Sequence, residues 1–185
     1  MRVLKLVSEK VGFATNSSSY HQVVFRPNKG KDFEVDLSNI SKDHPVHIGV
    51  GGFGWGGYGE CLRTWEEKAS YVLTWYCHKI NYPIRVGQKL NEMKELRGFK
   101  KMLERHVGEG CVVIDGEVGP LESWDGEHYH PSWDWQGELD HQSLDTLDGQ
   151  SPETLEEMIF SNSYIWIEND NGDTHEQRQW NVRRG

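Results

Sequence analysis

The chain has 185 residues, three widely spaced cysteines (Cys61, Cys77, Cys111) and no apolar run near the roughly 18 residues that cross a bilayer, which predicts one domain without disulfide staples, in the cytoplasm. Its net charge of −9 is uneven: residues 1–105 carry 17 Lys/Arg against 11 Asp/Glu, while residues 106–177 carry 18 Asp/Glu and no Lys or Arg. Like charge at that density argues against direct nucleic-acid binding and points to a basic protein surface as partner.

Two apolar runs, at residues 3–7 and 20–26, flank a small-polar segment and predict adjacent strands. Residues 33–37 alternate with period two and predict a short strand, as do residues 46–50. Seven glycines then fall within residues 49–59, interleaved with Phe53, Trp55 and Tyr58. Leu62, Trp65, Ala69, Val72, Leu73, Tyr76 and Ile80 recur every three or four residues, which predicts a helix over 62–80. A second helix is expected over 88–106, closed by Gly108. The two long helices are expected to pair and cover a sheet.

Cys111-Val112-Val113-Ile114-Asp115 predicts a buried strand. Residues 116–150 lack helical period and are rich in Gly, Trp, Asp, Glu and His, so a long acidic loop or insertion is expected there. Ser151-Pro152-Glu153 starts a short helix, with a cap, a proline at the first helical position and an acid in the first turn. Residues 164–167 predict a strand. Asn169-Asp170-Asn171-Gly172 predicts a hairpin turn, returning over residues 174–182. The fold class is therefore a single α+β domain over residues 1–185. Its mixed or antiparallel sheet is packed by two long helices and one short one, with a C-terminal β-hairpin.

The segment Gly12-Phe13-Ala14-Thr15-Asn16-Ser17-Ser18-Ser19 resembles the Gly-Phe-x-Thr-Asn-Ser-Ser-Ser signature near the N-terminus of many uncharacterised bacterial and phage proteins. The resemblance covers about ten residues and implies an accessory protein without naming an activity. On chemistry alone, Thr15, Asn16, Ser17, Ser18 and Ser19 supply hydroxyls, an amide and backbone N–H groups. Those groups either satisfy a turn or bind a phosphate. His21 follows on the emerging strand and is a candidate base, with His47 as the other. Gly52 and Trp55, in the glycine-rich segment, are candidates for close backbone approach to a ligand and for stacking on it. No known cofactor motif is present: the glycines fit neither a dinucleotide-binding fingerprint nor a P-loop.

His128 and His130 fall on one side of an extended chain, a partial site for a divalent metal. Trp124, Trp133 and Trp135 lie among Asp134, Glu138 and Asp140. Aromatic anchors within an acidic field are the expected partner-binding set.

Overall fold

A computed structural model describes residues 19–24, 36–53, 60–80, 87–123, 129–133 and 147–169. The expected strand at residues 3–7 and the return strand at residues 174–182 lie outside these. The described residues form an α+β fold of three helices and three small sheets.

The first long helix, α1 (Trp65–Lys79), begins where the local chemistry permits. Thr64 accepts from the Glu67 N–H at 3.2 Å, and the Glu67 carboxylate accepts from the Thr64 N–H at 2.9 Å. This reciprocal cap satisfies two donors that a helix start would otherwise leave open. Leu62, expected in the helix, instead ends a strand, β3 (Glu60–Leu62), which sequence periodicity did not distinguish from the helical stripe. Ala69, Tyr71, Val72 and Leu73 in α1 are fully buried. The buried surface is broader than one stripe because α1 packs on both β2 (Val46–Ile48) and α3 (Pro152–Ile159).

The second long helix is shorter than expected. Residues 90–96 form two 3₁₀ turns, Leu90–Glu92 and Lys94–Leu96, and α2 runs only over Arg97–Val107. Tertiary pairing decides this. The Leu90 N–H donates to the Gly116 carbonyl at 2.9 Å, and the Val118 N–H donates to the Gln88 carbonyl at 2.9 Å. The Asn91 side chain accepts from the Ile114 N–H at 3.2 Å. A segment bonded outward in this way does not close a regular i→i−4 ladder. Gly108 caps α2 with a φ of 112°, a conformation that favours glycine. Phe99, Met102, Leu103 and Val107 form its buried face. The expected helix pair is also revised: α1 lies chiefly against α3 and β2, and α2 lies against β4 (Val112–Ile114). Tyr76 of α1 meets Phe99 of α2 with ring centroids 5.5 Å apart.

β2 and β4 pair in parallel, with Val46 opposite Val112 and Ile48 opposite Ile114. Both strands send buried residues inward, as their apolar composition predicts. In the second sheet β7 (Tyr164–Asn169) is central and antiparallel to both neighbours, β3 on one side and β1 (Ser19–Val24) on the other. β1 places Ser19 opposite Asn169 and Val24 opposite Tyr164. Both edges of Ile165–Ile167 are thus occupied. Ile165 and Ile167 are buried.

The 116–150 segment is not wholly a loop. β5 (Val118–Ser123) and β6 (Tyr129–Trp133) form an antiparallel pair with a register shift between Val118 and Leu121. A proline in each strand, Pro120 and Pro131, hid this strand period from the sequence. Asp36 and Leu37, expected at the end of a strand, instead belong to a turn in which Asp36 accepts from the Ser38 N–H at 3.0 Å. The cap of α3 is as expected, with the Ser151 hydroxyl accepting from the Thr154 N–H at 3.2 Å. None of the helices among the described residues is long and apolar enough to cross a membrane.

Candidate functional site

The glycine-rich chain leaving β2 runs beside the start of α1, and between them lies a cleft of about 400 Å³. The backbone of residues 49–51 forms one wall and is fixed to the helix. The Ser70 hydroxyl donates to the Gly49 carbonyl at 2.7 Å, and the Gly51 N–H donates to the Thr74 hydroxyl at 3.0 Å. Gly51 has a steric reason to be glycine: a Cβ there would stand 2.8 Å from the Phe53 ring. Phe53 and Leu62, both buried, supply the apolar lining, and Phe53 is held edge-on to Tyr71 with centroids 5.2 Å apart. Glu66 and Glu67, from the first turn of α1, supply the charge, and no Lys or Arg lines the cleft among the described residues.

His47 also lines the cleft. The alternation of β2 buries Ile48 and turns His47 outward, onto the face that also carries Asp115 just after β4. The His47 Nδ1 stands 3.0 Å from each Asp115 carboxylate oxygen. An ionised carboxylate only accepts, so Nδ1 carries the proton and Nε2 is the nitrogen left for other chemistry. Both side chains are about half exposed, so water screens the pair. The hydroxyl of the described lining, that of Ser70, donates to the Gly49 carbonyl. Among the described lining residues, no hydroxyl or thiol is hydrogen-bonded to a base.

The sequence candidates divide unevenly. Ser19 and His21 lie in β1, His21 opposite Ile167. Gly52 is exposed between two cleft residues, Gly51 and Phe53, without lining the cleft itself. His130 and Trp133 lie in β6, opposite Glu122 and Val118 respectively. Thr15, Asn16, Ser17, Ser18, Trp55, Trp124, His128, Asp134, Trp135, Glu138 and Asp140 fall outside the described residues. Among the described residues no three His, Cys, Asp or Glu side chains cluster to hold a metal. Phe53 is one of the aromatics that the glycine-rich segment offers for stacking, whereas Glu66 and Leu62 were not foreseen as site residues. Each carries an ordinary helix-start or apolar signal, and only the fold brings them together.

The thiols stand apart from this chemistry. Burial pushes the Cys77 thiol up to about 12, so it stays protonated and inert at neutral pH. Cys111 is buried, whereas Cys61 is only half-buried, with its sulfur accepting from the Arg63 Nε at 3.3 Å.

Comparison with protein-family models, with curated proteins and with solved structures finds no match to this chain. The functional reading therefore rests on its own residues.

Proposed function

We propose that this chain is a cytoplasmic accessory protein of phage-like or bacterial type that acts by binding a partner with a basic surface. The observation that carries this reading is charge distribution: 18 acidic residues without a single Lys or Arg over residues 106–177. Trp124, Trp133 and Trp135 within that span supply anchors of the kind that dominate interface energetics. The cleft beside α1 has the same sign, with Glu66 and Glu67 in its lining. The chain, immobilised and exposed to bacterial lysate, should capture a basic protein that elutes as salt rises past the range where the Debye length falls to about 8 Å. Reversing Asp134, Glu138 and Asp140 to lysine should abolish that capture, and capture unchanged by the reversal would overturn the reading.

A second reading has one observation in its favour. Ligands of parallel sheets bind beyond the carboxyl ends of the strands, where the glycine-rich segment and the His47–Asp115 pair lie. In it, Thr15–Ser19, His21 and the glycine-rich segment hold a nucleotide or other phosphate ligand. The carboxylates of the cleft oppose an anion, which places this reading second. It requires thermal stabilisation by nucleotides with or without divalent metal, worth about 2.7 kcal/mol at a 100-fold excess over Kd.

A further inference from the structure

We propose that the cleft between residues 49–53 and α1 receives a lysine side chain of the basic partner, its alkyl stem against Phe53 and Leu62 and its ammonium at Glu66. This rests on the reading of the chain as a binder of basic surfaces, and it names the group recognised at one place.

Three features argue for that occupant. The first is the pairing of apolar wall with charge. Lysine is an apolar stem ending in a point charge, and such side chains lay the stem on apolar surface while the head stays at a polar edge. Phe53 and Leu62 are buried members of the core that also line the cleft, and Glu66 stands in the same lining on the first turn of α1.

The second is the state of the carboxylates. Glu67 is already committed, accepting from the Arg63 and Thr64 N–H groups at 2.8 and 2.9 Å as the helix cap. Asp115 is engaged by His47. Glu66, half-buried, makes no hydrogen bond or ion pair among the described residues. It is the carboxylate that gains from an incoming cation.

The third is the backbone wall. The Gly49 carbonyl and Gly51 N–H are satisfied by Ser70 and Thr74, so these groups do not compete for a polar ligand. An anion would meet Glu66 and Glu67 without a lysine or arginine among the described lining residues to balance them. A neutral apolar side chain would fill the wall but leave Glu66 desolvated and unpaired, which is unfavourable.

The test uses the full chain, isotopically labelled, titrated with three capped tripeptides that differ only at the centre: Gly-Lys-Gly, Gly-Arg-Gly and Gly-norleucine-Gly. The lysine peptide should shift the amide resonances of Phe53, Leu62, Glu66 and Ser70 saturably. Norleucine, with the stem but no charge, should bind at least tenfold more weakly. Glu66→Gln should weaken the lysine peptide about tenfold, the loss expected of a charge-assisted hydrogen bond. Glu157→Gln, an exposed charge on α3, should change nothing, and retained spectral dispersion shows that both variants are folded. Absence of saturable shifts, equal binding of norleucine, tighter binding of arginine, or indifference to Glu66→Gln would each overturn the proposal. Charge reversal at Asp134, Glu138 and Asp140 separates the two levels. If that variant loses lysate capture while Glu66→Gln binds the lysine peptide normally, the lysine cleft fails and the broader reading stands. If both variants keep their binding, both fail.

Discussion

Lys68 is a charged side chain placed in the core. It is fully buried on α1, where its Nζ donates to the Ser161 carbonyl at 2.7 Å and to the Ser163 carbonyl at 3.2 Å. The two carbonyls lie in the bend that follows α3, so this side chain ties one helix to the exit of another. Burial disfavours the ammonium and lowers its pKa from 10.5 to about 8. The cost of the buried charge is present in full below pH 8. It diminishes as pH rises from about 8 to 10.5, where the folded chain has released the proton and the unfolded chain still holds it. The neutral amine still has N–H donors for the carbonyls. Urea denaturation of the parent and of Lys68→Met should therefore diverge over that window, the parent gaining stability relative to the variant as pH rises. Parallel curves would show that Lys68 titrates normally.

At the level of elements, two devices hold the helices in place. Glu156 of α3 accepts from Arg105 and stands 2.7 Å from the His106 Nε2, both on the last turns of α2. His106 stacks on Phe160 with centroids 3.8 Å apart, and Phe160 in turn stacks on Trp65 at 5.5 Å. One carboxylate and three rings thus join the end of α2, the end of α3 and the start of α1. The Arg105 hydrogen bond, followed by that of His106, holds the Glu156 carboxyl below its ordinary 4.5. Its contribution is present above pH 4.5 and is lost as pH falls through the lower folded value. Glu156→Gln should flatten the acid limb of the stability profile there, by about 1 kcal/mol or less for a pair this exposed. An acid limb identical to the parent's would rule the linkage out. The second device is the α1 cap. Thr64→Ala removes the hydroxyl that accepts from Glu67 and should cost about 1 kcal/mol in chemical denaturation, with restoration by Thr64→Ser. A loss below a few tenths would mean that water replaces the cap.

For the whole molecule, electrostatics dominate what can be predicted. A net charge of −9, with one cationless stretch of 72 residues over 106–177, stores self-repulsion in the folded state. The melting temperature should rise as salt increases from about 0.01 M, where the Debye length is about 30 Å, to about 0.15 M, where it is about 8 Å. A melting temperature that falls over this range would mean that attractive ion pairs, such as Lys79 with Asp148 at 2.9 Å, outweigh the repulsion. Asp148 also accepts from the Trp75 Nε1 at 3.3 Å, so the chain is pinned to α1 at that residue. The acidic stretch is thereby anchored beside the core at that point.

The α+β class was legible in the sequence because it depends on local periodicity. The stripe Trp65-Ala69-Val72-Leu73 has a single regular solution, as do the apolar run Val112-Val113-Ile114 and the Ser151-Pro152 start. Residues that pair or bond across long separations carried no such signature. Residues 90–96 have the composition of a helix and become 3₁₀ turns because Gly116 and Ile114 bond to them from more than twenty positions away. Leu62 fits the helical stripe yet belongs to β3, because Ile165 offers it a strand partner and Thr64 caps the helix two residues later. The site divided in the same way. The charge asymmetry was visible as soon as the residues were counted, since it needs no geometry. The cleft was not, because Phe53, Leu62 and Glu66 come from a glycine-rich segment, a strand end and a helix start, and only their packing makes them neighbours.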